Sequence, residues 1–269
     1  MNRRHARLGS ALALSVACSI AGAADDAVVP AIGAALNPVA AFNGDLDIYS
    51  DYIARGLTYT HEQVSLQSRL EYDSPSGPYA GFAFNHNTVV ADAQSIELDP
   101  YVGFIGRHRD LSIDVGVFAW IYPSSRFAVS RNRYNTLEGY VGTAYKTLAV
   151  KFWYEFTNYF GLNSNSAAPN YGLLPQGSSR GSHYLEANLT MPLRHGVSFN
   201  LHAGRQLIRH YDVLNYTDWR VGLEAALGHG FSIGAARTDT DADAAAYTDA
   251  RGLNLARGKW LGYVRWAFP

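Results

Sequence analysis

Acidic and basic residues share one face of the first polar segment of this chain. If the segment is extended, Asp47, Asp51 and Arg55 point the same way, because successive side chains of a strand alternate between two faces. Asp51 and Arg55 would then lie about 13 Å apart along the strand. Because they cannot pair directly, each must meet water or a charge on another segment, and Arg69 and Glu71 on the next segment are candidates.

Most later segments repeat this one-sided placement of charge. Ten acids and five bases are expected on the polar faces: Asp47, Asp51, Arg55, Arg69, Glu71, Glu97, Asp99, Asp114, Glu138, Lys151, Glu155, Glu186, Arg220, Glu224 and Arg265. Two interpretations stay open for this set. The side chains either form a network of ion pairs that fills an interior, or they line a wet passage with an acidic surface.

Catalytic patterns are weak in the sequence. Acyl hydrolysis needs a nucleophile, a base and an orienting group, and no Gly-x-Ser-x-Gly motif occurs. Ser68 and His86 fall on the apolar faces of neighbouring segments, whereas His202 falls on a polar face. We therefore expect a protein that is not an enzyme. The alternative is a lipid-modifying enzyme that uses Ser and His residues on its apolar surface.

A run of alternating aspartates, Asp239, Asp241 and Asp243, has the spacing of calcium ligands. Ala244 stands where an EF-hand loop needs Gly, and Ala250 stands where it needs Glu. We expect a solvated loop here and no metal site, and no other pattern indicates a cofactor.

The elements that carry these residues are predicted to be strands. In the clearest one, Leu111, Ile113, Val115 and Val117 alternate with smaller or polar residues, which makes one face wholly apolar. About twelve such segments occur, each about as long as a strand that crosses a bilayer. They lie near 45–56, 63–73, 79–88, 95–106, 111–122, 134–145, 148–158, 182–192, 197–207, 217–227, 231–239 and 259–268.

Short turns alternate with longer connections along the chain. Turns rich in Pro, Gly, Asp and Ser, such as 73–78 and 192–196, alternate with long connections such as 159–181 and 240–258. Outer-membrane barrels have this asymmetry and an even number of strands. The sequence thus predicts an all-β fold, a transmembrane antiparallel up-and-down β-barrel of about 12 strands.

A soluble β-sandwich is the alternative fold, since it also has many short alternating strands. Aromatic residues near the ends of the apolar faces favour the membrane, where such residues form interfacial belts. These residues are Tyr145, Trp219, Trp260, Trp266 and Phe268.

The chain begins with the features of an export signal. Arg3, Arg4 and Arg7 precede an apolar run, and Ala21-Gly22-Ala23 fits a cleavage site. We predict a signal peptide at 1–23, a periplasmic lead-in at 24–41 and the barrel at 42–269. Cys18, the single cysteine, would leave with the signal, so disulfides could not stabilise the mature chain.

The charge of the mature chain argues against nucleic acid as a partner. Loss of the three signal arginines leaves 19 basic against 23 acidic residues, a net charge of about −4. Charged residues make up only 17% of the chain, which is low for a soluble surface. We expect outer-membrane lipid to surround the barrel.

Five short stretches, in this order, resemble the TorF-like family of outer-membrane porins. They are Ser50-Asp51-Tyr52-Ile53-Ala54-Arg55-Gly56-Leu57-Thr58, then 77–82, 96–103, 216–222 and 238–241. The resemblance covers about residues 43–268 and implies an outer-membrane barrel with a pore, but no particular substrate. Such barrels commonly end in an aromatic residue that the barrel-assembly machinery reads, whereas here Phe268 is followed by Pro269.

The function expected from the sequence is that of a porin-like channel for small hydrophilic solutes or ions. A structural or ligand-binding barrel without an open pore is the alternative. Arg205 and Arg237 continue two apolar faces to their outward ends, where an arginine is tolerated and its guanidinium suits phosphate. We therefore expect both residues to contact lipopolysaccharide.

Overall fold

A closed ring of antiparallel strands forms the body of the molecule. The computed structural model describes residues 41–88, 96–123, 126–127 and 129–269. Within these ranges twelve strands close into a barrel, and two further short strands pair only with each other. The predicted all-β barrel of about twelve strands is confirmed. The predicted signal peptide, and the lead-in except for Ala41, lie outside the described residues.

The barrel strands are numbered in chain order together with the two short ones. They are β1 (Ala41–Tyr49), β2 (Ile53–Ala54), β3 (Leu57–Thr58), β4 (Ser65–Asp73), β5 (Pro78–His86), β6 (Ile96–His108), β7 (Leu111–Trp120), β8 (Thr136–Tyr145), β9 (Leu148–Glu155), β10 (His183–Pro192), β11 (Val197–Leu207), β12 (Tyr216–Gly228), β13 (Phe231–Thr240) and β14 (Lys259–Phe268). In the described part of the chain, one α-helix, α1 (Ser164–Tyr171), and two 3₁₀ turns lie in the connections. None of the helices in the described ranges is long and apolar enough to span a membrane.

Each barrel strand pairs with its neighbours in sequence, and β1 closes the ring by pairing with both β4 and β14. The register at the closure sets Asp47 opposite Arg265. A closed ring leaves no strand edge unpaired, which is the condition for crossing a bilayer with strands.

The period of two determines which side chains face outward. On β7, Leu111, Ile113 and Val115 are exposed, while Ser112 and Asp114 are buried inside the ring. The other barrel strands repeat this arrangement, so the outer wall is apolar and the inner wall carries most of the charge. This is the arrangement required when lipid surrounds the barrel.

The first strand differs from its prediction. It was expected over 45–56, but β1 ends at Tyr49 and the chain then reverses at Arg55 and Gly56. Both residues have positive φ, 48° and 76°, which is the backbone of a two-residue hairpin turn. The alternation of Asp51 and Arg55 with apolar residues therefore belongs to a small hairpin, β2–β3, and not to the barrel wall.

Candidate functional site

The interior of the barrel holds nearly all of the charged residues that the sequence placed on polar faces. Twelve of the fifteen are buried, and Arg55, Arg69 and Glu224 are partly exposed. Thirteen lie on barrel strands, as expected. Asp51 and Arg55 are the exceptions, because they lie in the connection between β1 and β4.

One set of ion pairs joins neighbouring strands on the wall near the closure. Arg265 on β14 donates to Asp47 on β1 at 2.8 Å. Arg69 on β4 donates to Asp45 at 2.7 Å and lies 3.3 Å from Glu71. Pairs with this geometry hold the strands in register and neutralise part of the interior charge.

Tyrosines complete this network, and they were missing from the sequence-based candidates. The hydroxyl of Tyr101 donates to Glu71 at 2.7 Å, and that of Tyr263 donates to Glu224 at 2.6 Å. Tyr184 likewise donates to Asp218 at 2.9 Å. The signal available beforehand was the unusual number of tyrosines, 18, many at inward positions of the alternating segments.

The β2–β3 hairpin reaches across the mouth of the barrel. Tyr52 and Ala54 pack with an aromatic cluster on one wall, whereas Ile53 packs with Tyr49 and Leu261 on the opposite wall. The hydroxyl of Tyr52 donates to Glu97 on β6 at 2.6 Å. The hairpin therefore bridges two sides of the lumen and obstructs the passage between them.

Arg55, at the tip of the hairpin, binds the inner wall on the far side. Its Nη1 and Nη2 each donate to Glu138 on β8 at 2.8 Å, and Nη1 also donates to Gln206 on β11 at 3.2 Å. The predicted partner Glu71 is wrong, because the chain reversal carries Arg55 away from β4. Its side chain is 12% exposed.

Aromatic rings enclose the same guanidinium. Its Cζ lies 4.6 Å from the ring centre of Tyr184, 5.4 Å from that of Trp153 and 5.7 Å from that of Trp120. Each distance is within the range of a cation–π contact. We refer to Glu138, Gln206 and these three rings as the guanidinium cage.

Asp51 has a different task from the one expected. Its Oδ1 accepts hydrogen bonds from Thr58 at 2.6 Å and from Thr60 at 2.8 Å. These bonds connect the segment before β2 to the end of β3. Lys259 lies 3.8 Å from its Oδ2. Burial raises the pKa of Asp51, and the hydrogen bond from Thr58 and the charge of Lys259 only partly offset this. The predicted partner Arg69 is wrong, because β1 ends before Asp51 and Arg69 pairs with Asp45 and Glu71 instead.

A group of carboxylates surrounds the inserted hairpin. Glu97 and Asp99 on β6 both accept from Asn85, at 3.0 and 2.6 Å. Glu155 on β9 lies opposite Glu138 in the sheet, and among the described residues neither of its carboxylate oxygens has a hydrogen-bond partner. Several carboxyl groups thus lie close together on the wall around the hairpin.

Three outer connections pack on one another and on Leu57 of the hairpin. Tyr159, Leu162 and Ala167 from the 159–181 connection form one apolar cluster with Tyr211 and Tyr247 from two others. Asn163 caps α1 with hydrogen bonds to the backbone N–H groups of Asn165 and Ser166, which fixes the helix in this cluster. The connections form a packed cap.

Ion pairs fasten the base of the hairpin to the 241–258 connection. Glu62 accepts from Arg257 and lies 3.6 Å from Lys259, and His61 lies 2.9 Å from Asp249. Hydrogen bonding from Arg257 lowers the pKa of Glu62, against a smaller effect of burial. We refer to these contacts as the outer strap.

The two arginines expected at the lipid boundary lie at the outward ends of β11 and β13. Arg205 is about half exposed on the outer wall and donates to Thr217 at 2.7 Å. Arg237 is about one-third exposed and lies 3.5 Å from Asp239.

The aspartate run does not converge on one point. The Asp241 carboxylate accepts from the Thr217 backbone, and that of Asp243 accepts from Ala245 and Ala246. In the described part of the chain, no group of three or more His, Cys, Asp or Glu side chains could hold a metal ion.

The barrel is similar to solved porins and channels. A structure of the KdgM porin shares 9% identity and a TM-score of 0.52, over 84% of this chain and 99% of that one. A structure of the NanC porin shares 12% identity and a TM-score of 0.47, over 85% of this chain and 100% of that one. An outer-membrane channel from Pseudomonas putida F1 shares 12% identity and a TM-score of 0.44, over 89% of this chain and 98% of that one. At this identity the KdgM likeness shows the fold alone.

The sequence comparisons give a family without an activity. No curated protein matches the sequence. A family model matches residues 34–268, nearly the same span as the TorF-like resemblance, but it does not confirm that name. Because the match covers most of the chain, the protein belongs to Gcw_chp, a family of bacterial proteins of unknown function.

Proposed function

We propose that the protein is an outer-membrane channel for small hydrophilic solutes or ions, with a narrow, mildly acidic lumen. The observation that carries the proposal is the combination of an apolar outer wall with an inner wall of charged and tyrosine side chains. A barrel that only needed to be filled could use apolar side chains, which avoid the desolvation of buried charge. The porin-type fold agrees with this function.

The β2–β3 hairpin adds a feature to the proposal. It crosses the lumen, so the resting channel is closed or severely narrowed, and solute passage requires that the hairpin move. Because the hairpin belongs to a 15-residue connection between β1 and β4 and its strands pair only with each other, it can move without breaking the strand pairing of the barrel. Twelve strands lie between the filled barrels near eight strands and the open channels near sixteen.

A second function is favoured by the packed cap: a ligand-binding or structural barrel in which the hairpin is a permanent plug. The apolar cluster that holds Tyr159, Leu162, Tyr211 and Tyr247 would then provide rigidity or an outer binding surface. The two functions differ in whether ions cross the barrel.

Single-channel recording of the purified protein in a planar bilayer distinguishes them. A heat-modifiable shift on gel electrophoresis first establishes that the barrel is folded, since closed barrels resist detergent until boiled. A channel gives discrete current steps, and stretches of closure are expected from the plugged state. A correctly folded barrel that passes no current at any voltage would contradict the channel and support the permanent plug.

Export, assembly and lipid contacts complete the proposal. The predicted signal peptide would direct the chain through the inner membrane. The barrel-assembly machinery would then read the last strand, where the ring centres of Phe268 and Trp266 lie 5.2 Å apart. Arg205 and Arg237 would contact lipopolysaccharide at the outer rim. No catalytic role is proposed for Ser68, His86 or His202.

A further inference from the structure

The guanidinium cage is built like a ligand site, and a side chain of the same protein occupies it. We infer that the cage is a binding site for solutes that carry a guanidinium group, with Arg55 acting as an internal ligand that such a solute displaces. The site itself does not depend on the proposed channel, but the consequence for transport does.

The cage is held in place without the help of the hairpin. The indole N–H of Trp120 donates to Glu138 at 2.8 Å, and that of Trp153 donates to Glu186 at 2.7 Å. Both carboxylates are on the barrel wall, so removal of Arg55 leaves the two indoles oriented. A preformed site loses little order when a ligand enters, which favours binding.

The remaining members of the cage are fixed in the same way. Tyr184 donates to Asp218, and the side-chain N–H of Gln206 donates to the backbone carbonyl of His183 at 3.2 Å. The Gln206 side chain therefore turns its carbonyl oxygen towards Arg55. All five cage residues lie on the adjacent strands β7 to β11, which form one continuous wall.

The shape of the cage selects a planar cation. Glu138 offers two parallel acceptors to two N–H groups, which matches a guanidinium and not a single ammonium. The rings provide faces on which a delocalised cation stacks. A neutral amide of similar shape would lack the charge that Glu138 and the rings attract.

Glu155 indicates that the site can accept more than Arg55 supplies. It lies opposite Glu138, is fully buried, and has no hydrogen-bond partner on either oxygen among the described residues. Two carboxylates thus face a region that contains one guanidinium. A free solute, which is not tethered at the tip of a hairpin, could supply a further donor to this second carboxylate.

Occupation of the cage by a solute would release the hairpin. Arg55 and the solute would compete for Glu138, and tethering gives Arg55 a high effective concentration at the site. Millimolar solute is therefore needed to displace it in the wild-type protein. In the proposed channel, the solute class that opens the passage would also be one that passes through it.

The test uses Arg55→Ala, which empties the cage, with methylguanidinium as the probe and methylammonium and methylurea as comparators. Isothermal titration calorimetry on the folded, detergent-solubilised barrel should give an affinity for methylguanidinium at least about tenfold higher than for either comparator, as expected for one additional charge-assisted hydrogen bond. The double variant R55A/E138Q should lose that preference. Arg69→Ala is the matched control. It removes another interior arginine, one that pairs with carboxylates but is not enclosed by indole rings.

Equal affinity for the three probes, or full binding by the double variant, would overturn the inference. If Arg55→Ala fails to fold, Arg55→Gln replaces it, because it keeps part of the stem but removes the charge. Bilayer recording separates the two proposals. Selective binding without current in any variant supports the cage and contradicts the channel. Current without selective binding supports the channel and contradicts the cage.

Discussion

The guanidinium of Arg55 forms two hydrogen bonds of 2.8 Å with the carboxylate of Glu138, although 83 positions separate the residues in the chain. The pair joins the tip of the inserted hairpin to the inner wall of the barrel. Removing one partner of a buried ion pair costs about 3–5 kcal/mol, because the other charge is left uncompensated. The position of the hairpin should therefore depend strongly on either residue.

Glu138→Gln should release the hairpin, since the amide cannot balance the charge of Arg55. Trypsin added from the loop side cleaves after arginine, so cleavage between Arg55 and Gly56 should be much faster in the variant than in the wild type. Single-channel open time should rise as well. Glu224→Gln is the matched control, because Glu224 is an interior carboxylate bound to Tyr263 and not to the hairpin. Equal protection of Arg55 in all three proteins would contradict the ion-pair anchor.

Gly56→Ala should displace the tip of the hairpin by a different route. Gly56 has a φ of 76°, where an L side chain costs roughly 1–2 kcal/mol. A Cβ there would also approach Thr240 Cγ2 to 2.6 Å and Asp218 Cβ to 2.7 Å. Faster tryptic cleavage after Arg55 is expected, with unchanged heat-modifiability of the barrel. Gly252→Ala, at a φ of 82° with no atom within 4 Å of its Cβ, controls for backbone strain alone.

Acidification should weaken the outer strap. The pKa of Glu62 is lowered in the folded protein, mainly by the hydrogen bond from Arg257. Such a group stabilises the fold above its unfolded pKa of about 4.3, and this stabilisation is lost as the pH falls through the lower folded value. The strap is thus intact at neutral pH and weakens below about pH 4.

Bilayer recording at stepwise lower pH on the loop side provides the measurement. The open probability of the wild type should rise below about pH 4. The open probability of Glu62→Gln should already be higher at pH 7 and should change less on acidification. Asp51 acts in the opposite direction, because its pKa is raised and its protonated form is favoured in the fold. An acid response of the Gln variant as large as that of the wild type would exclude Glu62 as its source.

The open channel should prefer cations weakly. Interior acids outnumber interior bases, and rings of Asp and Glu raise the local concentration of cations. The preference should fade at 1 M salt, where the screening length is about 3 Å. Arg55→Ala should increase the preference, and Asp51→Asn should reduce it. Reversal potentials across a salt gradient measure this, and anion selectivity in the wild type would refute an acidic lining.

Arg205 and Arg237 provide a test of the lipid boundary. The double change to alanine should reduce lipopolysaccharide co-purification, because both arginines lie at the outward ends of their strands, Arg205 half exposed and Arg237 partly exposed, and a guanidinium suits phosphate. Arg194→Ala is a useful control, since Arg194 lies in a short turn at the opposite end of the barrel. Retention of lipid equal to that of the control would argue against these contacts.

Local sequence determined the strands and their faces. A period of two is a property of neighbouring residues, so the pattern of Leu111, Ile113 and Val115 was sufficient to predict β7 and its outward face. Turn residues and the alternation of connection lengths then fixed the number of strands. The error at β1 was local as well. Polar residues occupy most alternate positions from Asp45 to Arg55, with Ile53 as the exception, and the turn signal at Gly56 was too short to outweigh them.

Only the tertiary structure decided what fills the lumen. Arg55 meets Glu138, Trp153 and Tyr184 because ring closure and the chain reversal bring separate strands around one hairpin tip. No spacing along the sequence encodes these contacts, since each depends on the register of several strand pairs at once. Pairing across the lumen is a long-range property, whereas the face of a strand is a local one.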